Sequence, residues 1–226
     1  MNKAGLLRSI PLFMSLPDHE IESLGRSLGK RTFGKGMIIF HRESPGQTLY
    51  IIESGLVRIF SLSESGQEIT VNLYGPGELF GEMAVLDGCP RSAGALCMER
   101  TVTYTLHRDL FLDCLERNPD LAQGVIELLT KRLRYTTYYV ENLAFLDVYG
   151  RVAAKLLELG ERFRDKERGG GLDLRLTQGE LATWVSASRE NANKVLSQFR
   201  DQGLIAVDGQ EITILDRRGL WDRVVY

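Results

Sequence analysis

The stretch TQGELATWVSASRENANKVLSQFRD, residues 177–201, has the pattern of two short helices separated by a tight turn. Thr177 is followed three residues later by Glu180, a capping box that predicts the start of the first helix. Ser188 is the predicted N-cap of a second helix that runs to Asp201. Two such helices joined by a short turn form a helix-turn-helix.

The second of these helices divides into an apolar face and a polar face. Ala192, Val195, Leu196 and Phe199 are spaced to pack on the first helix through Leu181, Ala182, Trp184 and Val185. A solvated surface is one interpretation of the polar face. We favour contact with double-stranded DNA, because the polar residues crowd the first two turns, where a recognition helix meets base edges. The predicted DNA-binding residues are Thr177, Gln178, Ser188, Arg189, Glu190, Asn191, Asn193 and Lys194.

The flanking segments extend this motif. Residues 204–215 alternate around Asp208 and Gly209, which predicts a β-hairpin and hence a winged helix. Upstream, residues 151–163 form an amphipathic helical pattern. Residues 164–171 form a charged, glycine-rich loop, and 172–176 alternate like a strand.

The N-terminal half of the chain has a different period. Between about Lys30 and Leu106, apolar residues alternate with polar ones in short runs separated by glycine turns. The runs are MIIF, TLYII, LVRIF, EITVNL and VTYTL. Several short strands at this spacing predict an antiparallel sandwich or barrel.

Between the two halves, residues 120–146 have a helical period. Apolar residues and one threonine recur at alternating steps of four and three: Ala122, Ile126, Leu129, Leu133, Thr136, Val140 and Leu143. A helix lying on the barrel is one interpretation. We favour a coiled-coil seam in a parallel homodimer, because the apolar stripe is narrow and flanked by charged residues.

These patterns predict an α+β fold. An N-terminal antiparallel β-roll covers 1–119, a long dimerisation helix and hinge cover 120–146, and a winged helix-turn-helix covers 147–226.

Composition sets the class of protein. With 226 residues, 43% hydrophobic and 26% charged, the chain has ordinary globular composition. Its three cysteines show no paired spacing that indicates disulfides or zinc. No signal peptide or membrane span is indicated, so we expect a cytoplasmic protein without a membrane partner. The net charge of −2 does not itself indicate a polyanion partner.

One loop region carries charge among apolar residues. In GEMAVLDGCPRSAGA, residues 81–95, Glu82 and Arg91 lie nine positions apart, with Gly81 and Pro90 beside them. The Glu82 carboxylate can accept hydrogen bonds from hydroxyls, and the Arg91 guanidinium can bind one anion. The pair would therefore suit a ligand that carries hydroxyls and a single negative charge. A buried Glu82–Arg91 salt bridge holding the loop is the alternative.

Three strings resemble the cyclic-AMP receptor protein/FNR superfamily of bacterial transcription regulators. FGEMAVLDGCPRSA is similar to its phosphate-binding cassette, ENLAFLDVYGRVA to its hinge region and SRENANKVL to its recognition helix. The resemblance covers nearly the whole chain and is strongest to the cyclic-AMP receptor branch, rather than to the iron–sulfur or haem branches. The implied cyclic-AMP site consists of Gly81, Glu82, Met83, Ala84, Arg91 and Ser92, with Thr136 and the second subunit's Thr137 against the base.

The implied function is a dimeric transcription regulator that binds cyclic AMP and then an inverted TGTGA-like repeat, with RNA polymerase as a further partner. The resemblance implies cyclic AMP as the effector, and no cofactor is expected. A different effector such as cyclic di-GMP, or ligand-independent DNA binding, is the alternative.

The sequence argues against an enzyme or a metal site, because its three histidines are scattered and lack the clustered spacing of a cupin-type metalloenzyme. It also departs from the family in places. Ser44 and Ser186 stand where glycine is common, and serine tolerates a positive φ less well. Asn191 replaces a common threonine, and Thr137 a typical serine.

Overall fold

The structure is a computed structural model that describes residues 2–163 and 177–224. The chain forms two compact units, Met1–Leu133 and Arg134–Tyr226. Within the described ranges, none of the helices has the length and apolar character needed to cross a membrane. The predicted loop at 164–171 and the alternating segment at 172–176 lie outside the described residues.

The first unit begins with helices that pack on one of its two sheets. The N-terminal elements are α1 (Lys3–Arg8), a 3-10 turn (Pro11–Phe13) and α2 (Asp18–Ser27). The strands that follow are β1 (Gly29–Phe33), β2 (Ile38–Phe40), β3 (Thr48–Ser54), β4 (Val57–Leu62), β5 (Glu68–Tyr74), β6 (Leu79–Phe80), β7 (Gly94–Cys97) and β8 (Thr101–His107).

The eight strands form two antiparallel four-stranded sheets. Their orders are β1-β8-β3-β6 and β2-β7-β4-β5. Gly55 and Gly66 turn the chain at positive φ beyond β3 and β4, a conformation that glycine adopts without steric cost. The predicted antiparallel β-roll is therefore confirmed, and all five strand runs quoted from the sequence lie in strands except for their first residues Met37 and Leu56, which precede β2 and β4.

Two apolar clusters stabilise this unit. The larger joins the N-terminal helices to one face of the first sheet, with Phe13, Ile21, Leu49 and Leu106 fully buried. The smaller is rich in aromatic residues and includes Tyr50, Tyr74 and Phe80. Cys97 is buried in the smaller cluster, where it acts as a core residue.

One helix lies between β6 and β7, and two more follow β8 and lead to the second unit. They are α3 (Glu82–Asp87), α4 (Arg108–Arg117) and α5 (Pro119–Phe145). The bounds of α5 differ by one residue at each end from the helical pattern of the sequence. Helix α5 begins in the first unit and ends in the second.

The second unit has the winged helix-turn-helix order. Its elements are α6 (Val148–Arg162), α7 (Gln178–Trp184), α8 (Arg189–Asp201), β9 (Ile205–Asp208), β10 (Glu211–Ile214) and α9 (Arg217–Trp221). The capping box of Thr177 and Glu180 is present, and the Ser188 hydroxyl accepts a hydrogen bond from the Asn191 N–H. Both predicted helix starts are therefore confirmed.

Two details differ from the sequence interpretation. In the 41–46 turn the left-handed residue is Glu43, with φ of 65°, rather than Ser44. The segment from Glu82, taken from the sequence as part of a loop, is the first turn of α3. Ser186 does adopt a positive φ of 49°, so a serine occupies a conformation that favours glycine.

Candidate ligand pocket and nucleic-acid interface

Arg91 is the central cation of the candidate pocket. Its Nη1 donates to the Gly81 carbonyl and its Nη2 to the Thr48 carbonyl, each at 2.7 Å. The guanidinium lies 4.3 Å from the centre of the Phe40 ring, and the residue is only 4% exposed. Burial lowers the pKa of Arg91, with partial compensation from nearby Tyr50 and Glu82. Its buried Nε has no hydrogen-bond partner among the described residues.

Glu82 is buried and forms an ion pair with Arg132 of α5. Arg132 also donates from Nη2 to the Leu79 carbonyl at 2.5 Å, and its guanidinium lies 4.7 Å from the centre of the Tyr74 ring. The alternative of a Glu82–Arg91 salt bridge therefore does not describe this loop. Sequence analysis did not predict Arg132 as a site residue, because its contact with Glu82 depends on the packing of α5.

Two glycines allow the backbone to approach Arg91. Gly81 has φ of 79°, and a Cβ there would lie 2.6 Å from Arg91 Nη1. A Cβ at Gly46 would overlap the Cβ of Ala84 and lie 3.1 Å from Arg91 Nε. Gly46 was also not predicted as a site residue, since the sequence indicated only glycine turns between the strand runs.

The remaining predicted residues of the 81–92 segment are Met83 and Ala84, which lie in α3, and Ser92, which lies beside it. Ala84 is buried, whereas Met83 is about half exposed. The Ser92 hydroxyl lies 3.6 Å from Met83 Sδ, which ties the far end of the loop to α3. The structure thus brings the six predicted residues of 81–92 together. Thr136 and Thr137 are exposed on α5 in the second unit.

A row of aromatic rings lies between the two arginines. Tyr50 stacks on Phe80 with ring centres 5.0 Å apart, and Phe80 stacks on Tyr74 at 6.5 Å. Arg91 lies over Phe40 at one end of the row, and Arg132 lies over Tyr74 at the other. Because cations are attracted to the faces of aromatic rings, the row helps to fix both guanidinium groups.

The helix-turn-helix presents its polar residues as the sequence predicted. Thr177, Gln178, Ser188, Arg189, Glu190, Asn191 and Lys194 are exposed. Asn193 differs, because it is partly buried and its Oδ1 has no partner in the described part of the chain. The apolar face of α8 is buried as predicted, with Ala192 and Phe199 fully enclosed. Helix α8 therefore has a packed face and a free polar face that includes its N-terminal turns.

Comparisons with known proteins agree with both units. A cyclic nucleotide-binding domain model matches residues 30–118, and a Crp-like helix-turn-helix domain model matches residues 150–223. The chain is 34% identical to a CRP-like cAMP-activated global transcriptional regulator of Mycobacterium tuberculosis, over 95% of this chain and 96% of that one. It is 35% identical to the cyclic AMP receptor protein of Thermus thermophilus, over 88% and 89% of the two chains.

Among solved structures, the c-di-GMP responsive global regulator CLP of Xanthomonas campestris superposes with a TM-score of 0.76 at 27% identity, over 88% of this chain and 99% of that one. The relatives are transcription regulators rather than enzymes. The matched domains bind cyclic nucleotides and DNA. The extent and identity of these matches show that the chain belongs to the CRP/FNR family of transcription regulators.

Proposed function

We propose that the chain is a homodimeric regulator that binds cyclic AMP in its β-roll and then binds an inverted, TGTGA-like DNA repeat. The observation that supports cyclic AMP is the charge of the pocket. Arg91 and Arg132 contribute two positive charges and Glu82 one negative charge, which leaves one positive charge for the ligand. The cyclic phosphate of cyclic AMP carries one negative charge and complements this set.

The unpartnered Arg91 Nε supports an anion at this position. A buried donor without an acceptor costs about 1–3 kcal/mol, and a phosphate oxygen would accept from it. Glu82 retains acceptor capacity beyond its pair with Arg132, because a carboxylate accepts up to four hydrogen bonds. The ribose 2′-hydroxyl is the donor we assign to it. Thr136, and Thr137 from the second copy, are the proposed contacts of the base.

The exposed stripe of α5 supports the homodimer. Ile126, Leu133 and Val140 are spaced seven residues apart and are 58%, 67% and 55% exposed. A stripe with this repeat packs against another helix in a coiled coil. A second copy of α5 is the occupant with a matching repeat. As a transcription regulator, the dimer has RNA polymerase as its further proposed partner.

Cyclic di-GMP is the second candidate effector, because a structural relative is named as responsive to it. This ligand carries two phosphate charges, whereas the pocket offers one net positive charge per chain. Isothermal calorimetry on nucleotide-stripped protein should therefore show binding of cyclic AMP with one site per chain. Tighter binding of cyclic di-GMP than of cyclic AMP would contradict the proposed effector.

A further inference from the structure

Lys155 of α6 is a buried lysine with no part in the ligand pocket or the DNA-contacting face. It is 9% exposed and lies in the second unit among residues from three helices. Lysine is rarely buried to this extent unless its charge is paired. Its partners therefore show what it holds in place.

Hydrogen bonds join Lys155 to one acid and one phenol. Its Nζ donates to Glu158 Oε2 at 2.6 Å and to the Tyr135 hydroxyl at 3.0 Å. The Tyr135 hydroxyl in turn donates to Glu158 Oε1 at 3.1 Å. Burial, with the Glu158 carboxylate, raises the pKa of Tyr135, so the phenol keeps the proton that it donates. The three groups form a closed hydrogen-bonded triangle between α5 and α6.

Aromatic rings enclose the same ammonium. Lys155 Nζ lies 5.6 Å from the centre of the Tyr135 ring, 6.0 Å from Tyr139 and 5.5 Å from Trp184. These distances permit cation–π attraction, which is strongest for desolvated groups. We call Tyr135, Tyr139, Lys155, Glu158 and Trp184 the lysine cage. The cleft around it encloses only about 20 Å³, so the cage is closely packed.

Further bonds tie the cage region together. The hydroxyls of Tyr139 and Ser186 are 3.2 Å apart, which links α5 to the turn between α7 and α8. Arg151 donates from Nε to the Val185 carbonyl and from Nη1 to the Leu146 carbonyl, both at 2.8 Å. Leu146 is 5% exposed. The connection predicted as a hinge is therefore bridged by bonds to the helix-turn-helix.

We propose that Lys155 is a positioning residue for DNA binding, which joins the C-terminal part of α5 to the helix-turn-helix so that they move as one body. Lys155 contacts the dimerisation helix through Tyr135 and Tyr139, and the first helix of the motif through Trp184. The orientation of α8 is thereby fixed relative to the tail of α5. The inference rests on the proposed dimer and its inverted repeat.

A fixed orientation predicts strict selection of half-site spacing. Inserting one base pair between half-sites rotates one of them by about 36° and moves it by about 3.4 Å, since a helical turn holds about 10 base pairs. A dimer whose helix-turn-helix motifs are held by the cage should lose affinity for such sites. A dimer with loosened motifs should tolerate the insertion, while each α8 still reads its half-site.

The first experiment measures this spacing penalty with full-length protein and saturating cyclic AMP. Fluorescence anisotropy would compare duplexes with TGTGA and TCACA at the optimal spacing and with two extra base pairs. We expect wild type to lose about ten-fold or more in affinity on insertion, a loss similar to one mismatched base pair. Lys155→Met should reduce the loss to about three-fold or less, with single half-site affinity retained.

Two further variants separate positioning from folding. Lys155→Met with Glu158→Gln removes the partly buried carboxylate charge that the single variant leaves without its lysine partner, and should show the same relaxed spacing with a melting temperature nearer wild type. Glu161→Gln changes an exposed carboxylate on the same helix, which pairs with Arg217, and should keep the wild-type penalty. A wild-type penalty in both Lys155 variants would overturn the proposal.

The second experiment tests the single body through a fluorescent reporter rather than through the spacing of DNA half-sites. Trp184 is 3% exposed and Trp221 is 66% exposed, so Trp221→Phe leaves a buried reporter inside the cage. Acrylamide quenching of Trp184 should stay low and unchanged when cyclic AMP, and then DNA, is added. Increased quenching on either addition would overturn the proposal. If wild type shows no spacing preference, the proposed inverted-repeat function fails, and the quenching result alone decides the role of the cage.

Discussion

At the scale of single residues, Arg91 holds the loop in place and is the residue that we propose binds the ligand's phosphate. It donates to the carbonyls of Gly81 and Thr48, and its Nε is available to an anion. Replacing it with alanine would leave a bound phosphate without its counter-charge. Arg91→Ala should therefore lose about 2–4 kcal/mol of cyclic-AMP affinity in calorimetry.

The control for this variant is Arg100→Ala, which removes an exposed arginine from the same β-roll. We expect Arg100→Ala to bind cyclic AMP as wild type does. Thermal melting of Arg91→Ala would show whether the loss of two carbonyl contacts also unfolds the loop. A folded Arg91→Ala protein with wild-type affinity would contradict the pocket assignment.

A second prediction at this scale concerns Gly46, where a side chain would overlap the Cβ of Ala84. Gly46→Ala should destabilise the protein by about 1–3 kcal/mol, the usual cost of an overpacked site. Ala84→Gly removes the opposing methyl, so the double variant should recover part of that loss. Chemical denaturation of the two single variants and the double variant would measure the coupling. If the losses of the two single variants simply add in the double variant, the close approach of positions 46 and 84 is not the cause of the destabilisation.

At the scale of elements, we predict that the exposed stripe of α5 forms the dimer interface. Val140 lies on the exposed stripe that we assign to the dimer. Burying a glutamate there in two copies would be costly, since an unpaired charge in an apolar interface loses its hydration. Val140→Glu should therefore raise the dimer dissociation constant by about 100-fold, or about 2.7 kcal/mol, in analytical ultracentrifugation.

Glu141 offers the matched control on the same helix. It is exposed and lies off the heptad stripe, so Glu141→Gln should leave the dimer intact. A dimer that survives Val140→Glu unchanged would mean that the copies associate through another surface. In that case the spacing of Ile126, Leu133 and Val140 would need a different explanation.

At the scale of the whole molecule, a two-fold dimer should read an inverted repeat with half-sites about 34 Å apart. Glu190, exposed in the first turn of α8, is placed to accept from a cytosine N4 amine. Glu190→Ala should relax preference at one base pair of each half-site by about 1–3 kcal/mol and spare non-specific binding. A binding assay at fixed salt over all single half-site substitutions would measure this.

Arg189 provides the contrast, because it combines a positive charge with a potential guanine contact. Arg189→Ala should lower affinity and specificity together, and it should reduce the salt dependence of binding. An unchanged base-preference profile for Glu190→Ala, or a wild-type optimum without dyad symmetry, would rule out the proposed docking.

The sequence by itself determined the features that depend on near neighbours along the chain. The bounds of α8 follow from the Ser188 cap and from apolar spacing within thirteen residues. The strands of the β-roll follow from alternation and glycine turns in the same way. The cassette was recognisable because Gly81, Glu82 and Arg91 lie in one short segment.

Only the tertiary structure decided the contacts between residues far apart in the chain. Arg132 meets Glu82 across 50 positions, and Lys155 reaches Tyr135 and Trp184 on two other helices. Periodicity shows which face of a helix is apolar, but not which neighbour a buried charge will meet there. The physical reason is that these pairs form only where packing excludes water, and packing is set by the arrangement of several elements together.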